Sequence, residues 1–354
     1  MERFLWIVIA TLAVVGVSGS ASAGPLLWQT SSEGDDIHVF DLASGQLVQR
    51  LVVGPEPHGI AAPADARVVY VTLEANDRPR GELLWIDPRA YRIEHRMEIC
   101  REPHAIATTP DGRWIYVPCR DEHYWVIDAE KREAAARIRT GGRPHNVRIS
   151  HDGRFAFLSP MGGAARVTVV DVEAEHEVVG EIAFAASVRP SALSRDGRLF
   201  QHVDGLNGFQ VADVGSREVV ATIEHGTPLG WLLMHPLLGW LGPSGFQRCH
   251  GLAIRPGQQE VWSACGASVT IHDVTDSTYR EIERVPLPSK AYWLTFSPDG
   301  RWALVALSGA DQVAVVDAES REVVARLPTG AGPKRNLVID LDPGRAGALS
   351  GRAR

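Results

Sequence analysis

The sequence predicts an all-β fold, a seven-bladed β-propeller of four-stranded antiparallel blades, and three observations carry that reading. A β-branched run ending in Asp, followed by a polar turn and a second Val- or Ile-rich run, recurs at Asp41, Asp87, Asp128, Asp171, Asp213, Asp273 and Asp317. Successive copies are 46, 41, 43, 42, 60 and 44 residues apart, which matches one four-stranded blade per copy. Between copies lies an Asp-Gly pair flanked by alternating apolar runs, as at Asp111-Gly112, Asp152-Gly153, Asp196-Gly197 and Asp299-Gly300. That is a hairpin signal, because both residues tolerate the positive φ of a tight turn.

Taken in chain order, residues 1–23 are read as a cleaved signal peptide. Arg3 precedes an apolar run from Phe4 to Val17, and small residues at Ala21 and Ala23 form the cleavage site. An uncleaved anchor is the alternative. Export to the periplasm or beyond makes an oxidising compartment the expectation for the four cysteines. Leu26 to Val53 supplies only the last three strands of a blade, while Asn336 to Leu341 offers a lone inner strand. Joined, they complete a seventh blade within the domain 24–343 and remove the sheet edges that would otherwise aggregate. Residues 344–354 read as a small, basic, disordered tail.

The 60-residue gap places an insertion within residues 224–248. Its apolar stretch, including Trp231, Met234, His235 and Trp240, is expected to lie as a lid over the channel mouth. A plug packed on blades 5 and 6 and peripheral membrane contact are the alternatives. The seven repeated Asp residues read as turn formers whose side chains bond the backbone two residues on. Trp114, Trp262 and Trp302 share one repeat position and read as interblade core, whereas His123, His151, His202, His225 and His235 read as solvated loop residues.

Composition narrows the function classes. The chain has 354 residues, 45% of them apolar and 22% charged, with a net charge of −7, which excludes a disordered chain. Together with the lack of a basic stripe, that charge disfavours nucleic-acid binding.

Aligning the copies on their Asp-Gly turns puts one residue per blade at the start of each inner strand, around the channel mouth. These are His58, His104, His145, Arg189, His250, Tyr292 and Arg335. A polar, partly cationic ring in an acidic protein suggests a site for a small anionic ligand or a metal. His58, His104 and His145 come from successive blades and are the metal-ligand candidates, at nitrogen distances of about 2.0 to 2.1 Å for zinc. The structural alternative is that His simply opens the repeat and braces the neighbouring blade. Four cysteines permit three pairings. The repeat register favours Cys100 with Cys119 and Cys249 with Cys265, each joining the start of an inner strand to the end of the second strand. A redox or metal role is the alternative.

The Tyr70-Val71-Thr72 run, with Pro57-His58-Gly59 and the turn at Asp87, resembles the YVTN-repeat family of bacterial seven-bladed propellers, in particular its exported YncE-like branch. The resemblance covers nearly the whole mature chain. It implies kinship with the haem d1 domain of nitrite reductase, the copper-binding propeller of nitrous oxide reductase and quinoprotein-type propellers, alongside binding modules without known chemistry. No Cys-x-x-Cys-His is present, which sets covalent haem aside. The function expected is a monomeric, exported binding module for a protein partner or small anionic ligand. A metal-, haem- or quinone-associated accessory protein of periplasmic redox metabolism is the alternative, and hydrolase or lyase chemistry by a ring His is a third reading.

Overall fold

Seven four-stranded antiparallel sheets surround a common axis in the computed structural model, which describes residues 24–226, 249–257 and 259–341. The expected signal segment, the lid residues Trp231, Met234, His235 and Trp240, and the tail 344–354 lie outside the described residues. Blades are numbered here in chain order from the N-terminal strands. Blade 1 combines Leu26–Ser31, Asp36–Asp41 and Leu47–Val52 with the closing strand Pro333–Ile339. The inner strands of blades 2 to 7 are Pro57–Ala61, Ala107–Thr108, Arg143–Ile149, Val188–Leu193, Cys249–Ile254 and Ala291–Phe296.

Burial follows the strand order within a blade. The second strand of blade 2, Val69–Leu73, is buried throughout, because both of its faces meet neighbouring blades. Its outermost strand, Arg92–Glu98, alternates exposed and half-buried residues, as expected where one face meets water. The core is therefore a set of interblade layers. Trp262, Val269 and Ile271 of blade 6 pack on Leu294, Val305 and Leu307 of blade 7. Tyr70, Leu83 and Trp85 of blade 2 pack on Ile115, Val117 and Ile127 of blade 3. Trp262 is fully buried in this way, while Trp114 and Trp302 sit half-buried at the rims of their layers.

The turns carry the repeat as the sequence implies. Gly112, Gly153, Gly197 and Gly300 have φ of 72°, 81°, 82° and 71°, a region costly for a residue with a Cβ. On the same face, opposite the ring, each repeated Asp accepts backbone N–H groups two or three residues on, as Asp128 does from Glu130 and Lys131.

Ring closure pairs Leu26 with Ile339, Leu27 with Val338, Trp28 with Leu337 and Gln29 with Asn336, then bulges before Ser31 meets Pro333. The closing strand thus begins three residues earlier than the sequence suggests, because Pro333 to Arg335 still hug the first strand through side-chain bonds. The Gln29 amide donates to the Arg335 carbonyl at 3.0 Å, and the Thr30 hydroxyl accepts the Arg335 N–H at 3.1 Å.

The histidines assigned to solvated loops divide. His151 is exposed and His123 half-exposed. His202, on strand Arg198–Val203, and His225 are buried at 1% and 4% exposure. Period-two alternation puts His202 on a buried face of a strand enclosed by blades on both sides, so it becomes a bonded core residue.

A ring of imidazoles at the channel mouth

A β-bulge at the ring position of six blades turns these side chains away from the regular ladder. Pairing of inner and second strands breaks between Pro57 and Ile60, Arg143 and Asn146, Val188 and Ser191, Cys249 and Leu252, and Ala291 and Trp293, as it does at the closing strand. His58, His145, Arg189, His250, Tyr292 and Arg335 all fall inside those bulges, which is how bulges re-aim side chains beside sites. In blade 3 the inner strand shrinks to Ala107–Thr108, so His104 precedes it in a loop, held by its N–H to the Pro118 carbonyl at 2.9 Å. The glycine of Pro-His-Gly has a packing reason. A Cβ on Gly59 would lie 2.3 Å from the His104 carbonyl, and one on Gly251 would lie 2.8 Å from the Trp293 Cα.

Five of the seven ring side chains form a closed circuit. Ring centroids stand 3.9 Å apart for His58 and His104, 4.5 Å for His104 and His145, 5.8 Å for His145 and His250, 4.1 Å for His250 and Tyr292, and 6.2 Å for Tyr292 and His58. Arg189 is not among them: its Nε donates to Asp204 at 2.6 Å. Arg335 lies beside the circuit, its guanidinium 3.5 Å from the Trp293 ring centroid and its Nη2 donating to Asn146 Oδ1 at 3.2 Å.

Glu74, one residue past strand Val69–Leu73, is the group that sequence reasoning missed. Its carboxylate bonds Nδ1 of His104 and lies 3.3 Å from Nδ1 of His58. One ligand atom from each of these three residues falls within a 4.8 Å span. The signal that could have found it is the same exit position in blade 5, where Asp204 follows strand Arg198–Val203 and binds the ring residue Arg189.

Hydrogen-bond partners fix the imidazole protons. The Nδ1–H of His250 donates to the Tyr292 carbonyl at 3.0 Å, which leaves its Nε2 a free lone pair. His104 donates through Nδ1 to Glu74, and its buried Nε2 has no protein partner among the described residues. His202 donates to the His250 carbonyl at 3.2 Å and accepts from the Ser263 hydroxyl at 2.7 Å, bracing the ring from behind.

The electrostatics differ from the partly cationic ring that composition suggests. Burial pushes the His58 imidazolium down to about 3 despite Glu74 beside it. His145 and His250 are held well below the ordinary histidine range by burial, and then by neighbouring imidazoles and Arg335. Burial would raise Glu74, but His58 and His104 outweigh it and keep the carboxylate ionised. Tyr292 is pushed up to about 12 by burial. At neutral pH His58, His145 and His250 are therefore neutral nitrogen donors and Tyr292 a neutral phenol, standing near the Glu74 carboxylate, a donor set suited to a cation. Adjacent rings stand in contact, so a flat haem-like macrocycle has no slot between the described residues of the circuit, whereas a single ion needs only the space between donor atoms.

Both pairings are those expected, Cys100 with Cys119 and Cys249 with Cys265. The second joins the inner and second strands of blade 6, whereas Cys100 sits in the link after blade 2's outer strand, its carbonyl accepting from the Gly81 N–H, and so ties that link to the end of blade 3's second strand. His225 lies against the second disulfide, its Nδ1 3.4 Å from Cys265 Sγ.

No family model matches the chain, and no curated protein does. Its fold is that of solved propellers. The periplasmic gluconolactonase PpgL of Pseudomonas aeruginosa aligns at 19% identity with a TM-score of 0.69, over 90% of this chain and 99% of that one. Hydrazine synthase of Kuenenia stuttgartiensis aligns at 18% and 0.67, over 80% and 95%. The dihydro-heme d1 dehydrogenase NirN, solved in complex with DHE, aligns at 15% and 0.64, over 93% and 78%. At these identities the likeness is one of fold.

Proposed function

We propose that this chain is an exported, periplasmic binding propeller of the YncE-like, YVTN-repeat kind that holds a divalent transition-metal ion at its channel mouth, with His58, His104 and Glu74 as ligands. The observation that carries the reading is the convergence of two imidazoles and one carboxylate from blades 2 and 3 within 4.8 Å. Ligands of a tetrahedral ion at about 2.0 Å stand about 3.3 Å apart. The His58 Nδ1 to Glu74 separation of 3.3 Å already has that value. Burial supports the reading too, since a ligand imidazole must be neutral to offer its lone pair. His145, His250 and Tyr292 complete the surroundings and supply further donors to the ion or to a molecule on it. Export is supported by the signal-like residues 1–23 and by the two disulfides, which persist in oxidising compartments.

Titration calorimetry of chelator-treated protein with zinc and with copper(II) tests the site. One equivalent should bind, and His58→Ala and His104→Ala should each lose at least about 10-fold in affinity with little change in melting temperature. A protein that takes up neither ion overturns the reading.

A further inference from the structure

Beyond the ring, the channel contains a cavity of about 920 Å³ bounded by all seven inner strands. It opens toward the Asp-Gly turns, where Arg195, Asp196 and Gly257 form its rim, so its mouth is on the face opposite the imidazoles. The lining is mixed: partly exposed Ala107, Leu193, Ala253, Ile254 and Leu337 stand beside Thr108, Arg148 and Thr295, while Ile60, Ile106, Val147, Leu252 and Leu294 turn their side chains into the interblade core. At the ring-side end stand two guanidinium groups sharing one indole. Arg335 lies 3.5 Å from the Trp293 ring centroid and Arg148 lies 5.5 Å from it.

Neither arginine has a carboxylate within ion-pair distance among the described residues. Arg335 is 5% exposed, and its Nε is buried with no partner there. Arg148 spends its Nε on the Ser191 carbonyl at 2.6 Å, which leaves its terminal nitrogens for the cavity. Burial lowers Arg148 to about 10 and Arg335 to about 9, so both stay charged at pH 7. Two cations in a poorly solvated tube without a counter-ion are costly, and a ligand that supplies the missing charge recovers that cost. A channel of this size, with aliphatic patches on its wall and two cations at one end, also has the build of a small-molecule site.

We propose that this cavity binds an organic carboxylate with an apolar body. The planar two-oxygen head meets the guanidinium forks of Arg148 and Arg335 beside Trp293. The body runs past the partly exposed Ala107, Leu193, Ala253 and Ile254 toward the Asp-Gly face. The site is separate from the metal ring and does not rest on it.

Octanoate, acetate and octanol, titrated calorimetrically into the full chain, test the proposal. Octanoate should bind about 100-fold tighter than acetate, since only it buries an alkyl chain, and about 100-fold tighter than octanol, since only it meets the cations. Arg148→Met and Arg335→Met should each weaken octanoate at least about 10-fold. If Arg335→Met does not fold, the half-buried Arg148 decides alone. His58→Ala with His104→Ala should leave octanoate affinity unchanged, which separates failure of this site from failure of the ring. Octanol binding as tightly as octanoate, no octanoate binding, or an undiminished Arg148→Met protein overturns it.

Discussion

Glu74 of blade 2 accepts a hydrogen bond from the Nδ1–H of His104 in blade 3, so one carboxylate ties two blades together at the channel mouth. Replacing it by Gln keeps the shape and removes the charge. Glu74→Gln should cost at least about 10-fold in zinc affinity by calorimetry, while the melting temperature stays close to that of the parent. Unchanged affinity would remove Glu74 from the ligand set.

Acid should destabilise the protein through its buried neutral histidines. Burial lowers His58, His202 and His225 to about 3, 4 and 2, from an ordinary value of 6.5. The unfolded chain takes up protons below about 6.5 and the folded chain does not, so stability is complete above that pH. It declines as pH falls toward those lower values, by on the order of 2 kcal/mol per group at pH 5. Melting curves from pH 7.5 to 4.5 should record the decline, with a shallower slope in His202→Gln. A flat profile would contradict the buried neutral assignment.

The disulfides close short loops, with 19 residues separating Cys100 from Cys119 and 16 separating Cys249 from Cys265. Each should contribute about 3 kcal/mol. Denatured, unreduced protein should expose no free thiol, and reductant should lower the denaturant midpoint in two steps that Cys249→Ser with Cys265→Ser reduces to one.

Removing residues 333–354 should unmake the ring. The strand Leu26–Ser31 would lose its partner Pro333–Ile339 and present a bare edge. Light scattering should report association beyond that of the full chain, and a peptide of residues 333–341 added in trans should reverse it by filling that edge.

The repeat made the fold legible, because every blade solves the same packing problem with the same Asp turn and the same alternation. Ring positions were legible for the same reason: equivalent residues of a rotationally repeated unit converge near the axis, as His58, His104, His145, His250 and Tyr292 do. The repeat is silent where one blade departs from the others. Glu74 has no acidic equivalent in most blades, and Arg189 leaves the ring because Asp204 sits at the matching exit. His202 was misread because its neighbours Gln201 and Asp204 are polar, although Gln201 is itself fully buried and bonded to the Pro190 and His202 carbonyls. The paired cations Arg148 and Arg335 lie far apart in sequence and meet only across Trp293.

The closing pair has a mechanical corollary. Leu26 lies opposite Ile339, so the two chain ends leave the ladder from the same end of the antiparallel pair. Tension applied between the termini would peel that pair like a zipper, one bridge at a time, instead of loading all its bridges in shear. A propeller latched in this way resists heat as a whole ring yet yields to a modest pull, and a tether at either end would sit where the ring is easiest to open.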